Sequence, residues 1–175
     1  MIVDLARELG VQMMITLGSL LADVPHTRPS PVTGGGTDPE LVERLGLQRS
    51  RYEGPTGIVG VLHDACNRAD IPSVSLWAAV PHYVSLAPSP RAALALCQRL
   101  GGILGTQIDT AELQEASERY SEQVTEAVSS DDETQAYVDE LEQRAELLED
   151  EEDLPSGESL ARARRCRARA RAGNA

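Results

Sequence analysis

The chain has 175 residues, a net charge of −12 and 41% hydrophobic residues, enough for one globular domain; with no Phe, one Trp and four Tyr, its core must be aliphatic. All 16 basic residues are Arg, which excludes lysine Schiff-base chemistry and a Walker-type lysine within these residues. Six of those Arg lie between 162 and 171, so residues 1–160 carry ten against all 28 Asp and Glu, a balance that repels nucleic acid and anionic membranes as partners.

The opening segment places Ile2, Leu5, Ala6 and Leu9 on one helical face and stops at Gly10. The apolar run 11–18, VQMMITLG, predicts a central strand covered on both faces. Residues 22–37 have the Pro, Gly, Thr and Ser content of a long loop, with a short extended piece at Ser30 to Thr33. Asp38 then caps a short helix, with Pro39 at its first position and Gly46 just past its end.

Gly54, Pro55, Thr56 and Gly57 precede Ile58, Val59, Val61, Leu62 and Ala65, a helix so apolar that it must pack against something large. Ser73 to Val80 reads as a buried strand parallel to the first, and Ser89-Pro90 opens a helix carrying Ala93, Leu94, Leu96, Cys97 and Leu100. Strand, helix and strand in this order make a βαβ unit. The expected fold class is therefore α/β, a three-layer parallel or mixed sheet with covering helices.

Beyond Gly105, Asp109 to Glu112 and Ser130 to Glu133 have the spacing of capping boxes that start two amphipathic helices. One stripe holds Leu113, Ala116, Tyr120, Val124 and Ala127, the other Tyr137, Leu141, Ala145 and Leu148, with strongly acidic opposite faces. The division expected is an α/β core over 1–108, the acidic helices over 109–153, and an Arg/Ala tail over 154–175. The tail puts charge all round any helix and is expected to be disordered; a basic arm for nucleic acid is the alternative.

Chemistry is sparse. Pro25-His26-Thr27 and Pro81-His82-Tyr83 each follow an expected strand, and open α/β sheets place ligands at the carboxyl ends of their strands. His26, Arg28, Tyr52, Glu53, His82 and Tyr83 are thus candidate residues for a small polar or anionic ligand, with His as donor or base. The competing reading is that each Pro-His terminates a strand and its imidazole satisfies nearby backbone. Gly34-Gly35-Gly36 lacks the spacing of a phosphate fingerprint and reads as a flexible loop, and the glycines at 54, 57 and 60 read as packing. His63, Asp64 and Cys66 do not share a face, there is no G-x-S-x-G elbow, and Cys66, Cys97 and Cys166 are too scattered for a disulfide framework or zinc. No catalytic residue, metal or cofactor is expected. With no leader or membrane-length apolar run, the expected location is cytoplasmic.

RYEGPTGIVGVLHDACNRA, SVSLWAAVPHYV and PSPRAALALCQRL resemble the proteasome assembly chaperone 2 family in its bacterial branch, and LGSLLADVPHTRPSPVTG and ELQEASERYSEQV fit it too. The resemblance covers about residues 2–158. It implies a core like that of the purine phosphorylase and peptidyl hydrolase group, and self-association, with trimers the form it suggests. It also implies protein-binding or assembly work, with proteasome-related partners, in place of catalysis. A nucleoside-like ligand at the His26 and His82 crevice is the rival. Some members carry a label as ATP-dependent ligases, which the absence of Lys opposes. Members of the family have a further N-terminal portion with more strands, so the chain resembles a C-terminal part. They also continue past Leu160 with an acidic helix, so the Arg/Ala tail is expected to reflect a changed reading frame.

Overall fold

The computed structural model describes residues 1–47, 57–84 and 88–153, the last five as backbone alone. Its elements run α1 (Ile2–Glu8), β1 (Met14–Ala22), β2 (Val32–Gly36), α2 (Pro39–Arg44), α3 (Ile58–Asn67), β3 (Ser73–Pro81), α4 (Pro90–Leu104), α5 (Ala111–Ser129) and α6 (Asp132–Asp153). The result is a mixed α/β fold on a small sheet of order β1-β3-β2. β1 and β3 are parallel, from Met14↔Ser73 to Ala22↔Pro81, and β2 pairs antiparallel to β3 from Val32↔Ala78 to Gly36↔Val74.

β3 is the central strand because alternate residues, Val74, Leu76 and Ala78, are fully buried. They meet Leu41 and Val42 of α2, Leu47, and Ala92 and Leu96 of α4. Asp38 caps α2 through Oδ1, which accepts the Glu40 N–H at 2.9 Å, and Ser89 caps α4. A second cluster joins Ala6 of α1, Cys66 of α3 and Ile71, with Met14 at the start of β1.

Several expectations change. β1 starts at Met14 and runs on to Ala22, where its ladder with β3 ends, while Val11 packs into the α1–α3 cluster instead. Within the described sheet β1 lies at the edge and is not covered on both faces: Leu17 and Leu21 are 50% and 67% exposed. The triglycine is strand, not loop. Gly36 lets β2 approach β3, since a Cβ there would lie 2.8 Å from the Ser73 carbonyl oxygen. α3 buries only its His63 and Cys66 side, and Ile58 is 80% exposed.

The C-terminal stripes are rotated slightly from those expected. Ser117, Tyr120, Val124 and Val128 are the buried residues of α5, and Ala127 is exposed. On α6, Val138 and Leu141 are buried and Leu148 is exposed. Neither expected capping box forms, because Asp109 and Asp131 each accept the N–H two residues on. Asp109 Oδ1 accepts the Ala111 N–H and Asp131 Oδ1 that of Glu133, while Ser130 donates its hydroxyl back to the Ala127 carbonyl.

Candidate functional site at the strand ends

Because β1 and β3 are parallel and end in register, the segments that leave them emerge side by side. The His82 N–H continues the ladder to the Ala22 carbonyl at 3.3 Å. From there Asp23 to Pro31 pass over the sheet end, under α5 and α6.

His26 is 3% exposed, and both of its ring nitrogens are engaged. The Tyr83 hydroxyl oxygen accepts the His26 backbone N–H at 2.8 Å and lies 2.9 Å from His26 Nδ1. The ring's Nε2 lies 3.2 Å from Thr125 Oγ1, and that hydroxyl donates to the Ser121 carbonyl at 2.9 Å. With the Thr125 proton on the Ser121 carbonyl, Nε2–H donates to Thr125, and a neutral ring then accepts the Tyr83 proton at Nδ1. The surroundings of His26 favour that neutral form. Burial holds its pKa below the ordinary histidine value, the nearby Arg91 guanidinium adds to that, and Glu142 opposes it. Burial likewise pushes the Tyr83 phenol up.

His82 is different. It is half-exposed, and its Nδ1 lies 3.2 Å from Asp23 Oδ1, the arrangement of an imidazole oriented by a carboxylate. Its ring meets Tyr83 and Tyr137 edge to face, with centroids 5.8 and 5.5 Å apart. Two of the chain's four Tyr and two of its three His thus gather at one place in an aromatic-poor sequence.

The connecting segment is anchored to three helices. Thr27 donates to Glu142 at 2.6 Å and Arg28 pairs with Glu146 at 3.3 Å, both on α6. Arg91 of α4 donates to Ser121 of α5 and to the Arg28 carbonyl. Beside these contacts is a groove of about 330 Å³ with Val24, Pro25, Pro29, Leu141 and Ala145 as apolar lining and Asp23, Arg28 and Arg144 as its charged groups.

The structure therefore brings His26, His82 and Tyr83 together with Arg28 close by; Tyr52 and Glu53 lie outside the described residues. Sequence reasoning missed Asp23, Thr125, Tyr137 and Glu142, whose only signals were a carboxylate ahead of the first Pro-His and a Tyr leading the last stripe. It also missed a buried polar relay under α3. His63 Nδ1 lies 2.8 Å from Ser73 Oγ and its Nε2 3.2 Å from Thr16 Oγ1, and burial holds this histidine, too, below its usual pKa. Among the described residues no three His, Cys, Asp or Glu gather as a metal would require.

The PAC2 family model matches residues 1–128. Solved structures agree with it. A PAC2 family protein from Streptomyces avermitilis is 47% identical with a TM-score of 0.71, over 78% of this chain and 57% of its own. A proteasome-assembly chaperone homologue of Mycobacterium tuberculosis is 44% identical with a TM-score of 0.69, over 78% and 58%. An archaeal homologue of proteasome-assembly chaperone from Pyrococcus furiosus is 25% identical with a TM-score of 0.57, over 70% and 55%. The chain spans under three fifths of the length of each of these relatives. None of the curated proteins compared matches it.

Proposed function

The chain belongs to the PAC2 family, and from that membership we propose that it is a protein-binding, assembly-chaperone-like module without catalytic activity, whose partners are related to proteasomes. The observation that carries this reading is the number of exposed aliphatic side chains around the β1 edge. Ile2, Leu5 and Leu9 at α1, Leu17 and Leu21 on β1, and Ile58 and Val61 on α3 are all at least half exposed; α1 and α3 meet Met14 on one face of β1, and Leu17 and Leu21 lie on its other face with Ile15. So large a set of aliphatic side chains marks a surface for association. Among the described residues β1 is an edge strand, whose backbone groups are able to pair with another strand.

The same reading includes a three-layer, phosphorylase/hydrolase-like arrangement, a cytoplasmic location, self-association with a trimer as its form, and the division into 1–108, 109–153 and 154–175. Residues 154–175, the Arg/Ala segment, lie outside the described residues. Pull-down of purified proteasome subunits by the full chain tests the reading. Retention supports it, and failure to retain any subunit at micromolar concentrations removes the named partner.

A second reading rests on the half-exposed His82, whose Nδ1 lies 3.2 Å from Asp23, a residue of the groove that also holds Arg28. It makes the crevice a small-molecule site, nucleoside-like in ligand, using His26, Arg28, His82 and Tyr83 with Tyr52 and Glu53. Thermal stabilisation by nucleosides that disappears in His82→Ala supports this alternative; no stabilisation by any nucleoside counts against it.

A further inference from the structure

We propose that His26 is an acid-sensitive latch: its neutral ring ties α5 to the end of the sheet, and its protonation loosens α5 together with α6, which packs on it. The inference comes from the wiring of this one side chain. His26 stands in the segment after β1, its Nδ1 takes a proton from Tyr83 beyond β3, and its Nε2–H goes to Thr125 on α5. One ring thus joins elements separated by 57 and 99 residues, and its pattern of one acceptor and one donor nitrogen is available only to the neutral form.

Protonation turns Nδ1 into a second donor. The Tyr83 oxygen already accepts the His26 backbone N–H, so the hydroxyl must take both N–H groups and redirect its own proton. The groups around the ring oppose the new charge. Arg91 of α4 contributes a like charge, and Tyr83 is held in its protonated, uncharged form by burial. Glu142 of α6 favours the charge, but its Oε1 already accepts the Thr27 hydroxyl. Glu146 is paired with Arg28, and Asp23 with His82 on the far side of Tyr83. α5 presents Thr125, Ser121 and Tyr120, none of them anionic.

What loosens is the hold of α5 and α6 on the sheet end; α5 stays on α4, to which Arg91 ties it through Ser121. α4 ends at Gly105, in the left-handed region at φ 63°, and a short connection leads to α5. Release uncovers Tyr120, Val124, Val128 and Val138 together with Tyr83 and Val84, an apolar set now closed against itself. The latch does not depend on the protein-binding reading, which its failure would leave intact.

Amide hydrogen exchange of the full chain, corrected for intrinsic rates, tests the proposal between about pH 7.5 and about pH 5.5. Protection in α5 and α6 is expected to fall roughly tenfold per pH unit below about 6.5, until the native ring itself takes up the proton, with a smaller fall in β3. His26→Gln is expected to remove this difference between α5 and β3, and His63→Asn to leave it in place. In the wild-type chain the ring nitrogen shifts of His26 are expected to report the Nε2–H tautomer near neutral pH, a readout that needs no variant. Equal losses of protection in α5 and β3, an undiminished difference in His26→Gln, its disappearance in His63→Asn, or the Nδ1–H tautomer would each overturn the latch.

Discussion

The Tyr83 hydroxyl holds His26 twice, accepting its backbone N–H at 2.8 Å and meeting its Nδ1 at 2.9 Å. Tyr83→Phe leaves the ring in place and removes both bonds, stranding a buried N–H and a buried ring nitrogen. Each such orphan costs about 1–3 kcal/mol. Denaturant unfolding should therefore show a loss of at least about 2 kcal/mol; a loss below about 0.5 kcal/mol would mean that water replaces the phenol without cost.

His63 makes stability depend on pH in a defined direction. Its pKa is lowered in the folded chain by burial, so the unfolded chain binds the proton more readily. The stability it contributes is fully present above the ordinary histidine value of 6.5 and is lost as pH falls through that value towards the folded pKa. His63→Gln, which keeps hydrogen-bonding capacity towards Ser73 and Thr16, should flatten this acid limb in unfolding midpoints measured across the range. A limb unchanged in steepness would assign the acid sensitivity elsewhere, with His26 the next group to test by the same sign argument.

Gly18 is packed under Trp77. A Cβ there would stand 2.6 Å from the indole Cζ3, so Gly18→Ala must push the ring away from the β1–β3 pair. Overpacking of this kind costs about 1–3 kcal/mol. Since Trp77 is the one Trp, its fluorescence should report both the displacement and the lower unfolding midpoint. An unchanged spectrum and midpoint would contradict the close packing of Trp77 on Gly18.

The three consecutive glycines of β2 should respond unequally. A Cβ at Gly36 meets a backbone carbonyl at 2.8 Å, whereas at Gly35 the nearest contact is Ser75 Oγ at 3.9 Å. Gly36→Ala should lower stability by about 1–3 kcal/mol and Gly35→Ala by much less. Equal effects in thermal melts would contradict the close approach of β2 to Ser73.

Much of the fold was legible because local signals agreed with tertiary ones. Asp38-Pro39 and Ser89-Pro90 open helices where a cap followed by proline should, and β3 is where a buried run of Ser73 to Val80 placed it. β2 was legible only at its start, in the extended piece at Ser30 to Thr33, because Gly34 to Gly36 carry no side-chain pattern, and tertiary neighbours explain two of them: Leu47 for Gly34 and the Ser73 carbonyl for Gly36. The meeting of His26 with His82 and Tyr83 followed from topology, since parallel strands deliver their ends together. Thr125 and Glu142 were out of reach because their partners lie 99 and 115 residues away in sequence, and a helix periodicity identifies a face without naming what it touches.

The central claim is that the exposed aliphatic side chains around the β1 edge bind protein partners, and Leu21→Asp with Ile58→Asp tests it with little disturbance of the core, because both side chains are largely exposed. The most direct measurement is the affinity of the full chain for purified proteasome subunits, wild type beside this double variant, with thermal melts to confirm that both are folded. We predict binding by the wild type and a loss of at least about tenfold in the variant, equivalent to about 1.4 kcal/mol. Equal affinities, or no binding by either folded chain, would contradict the account.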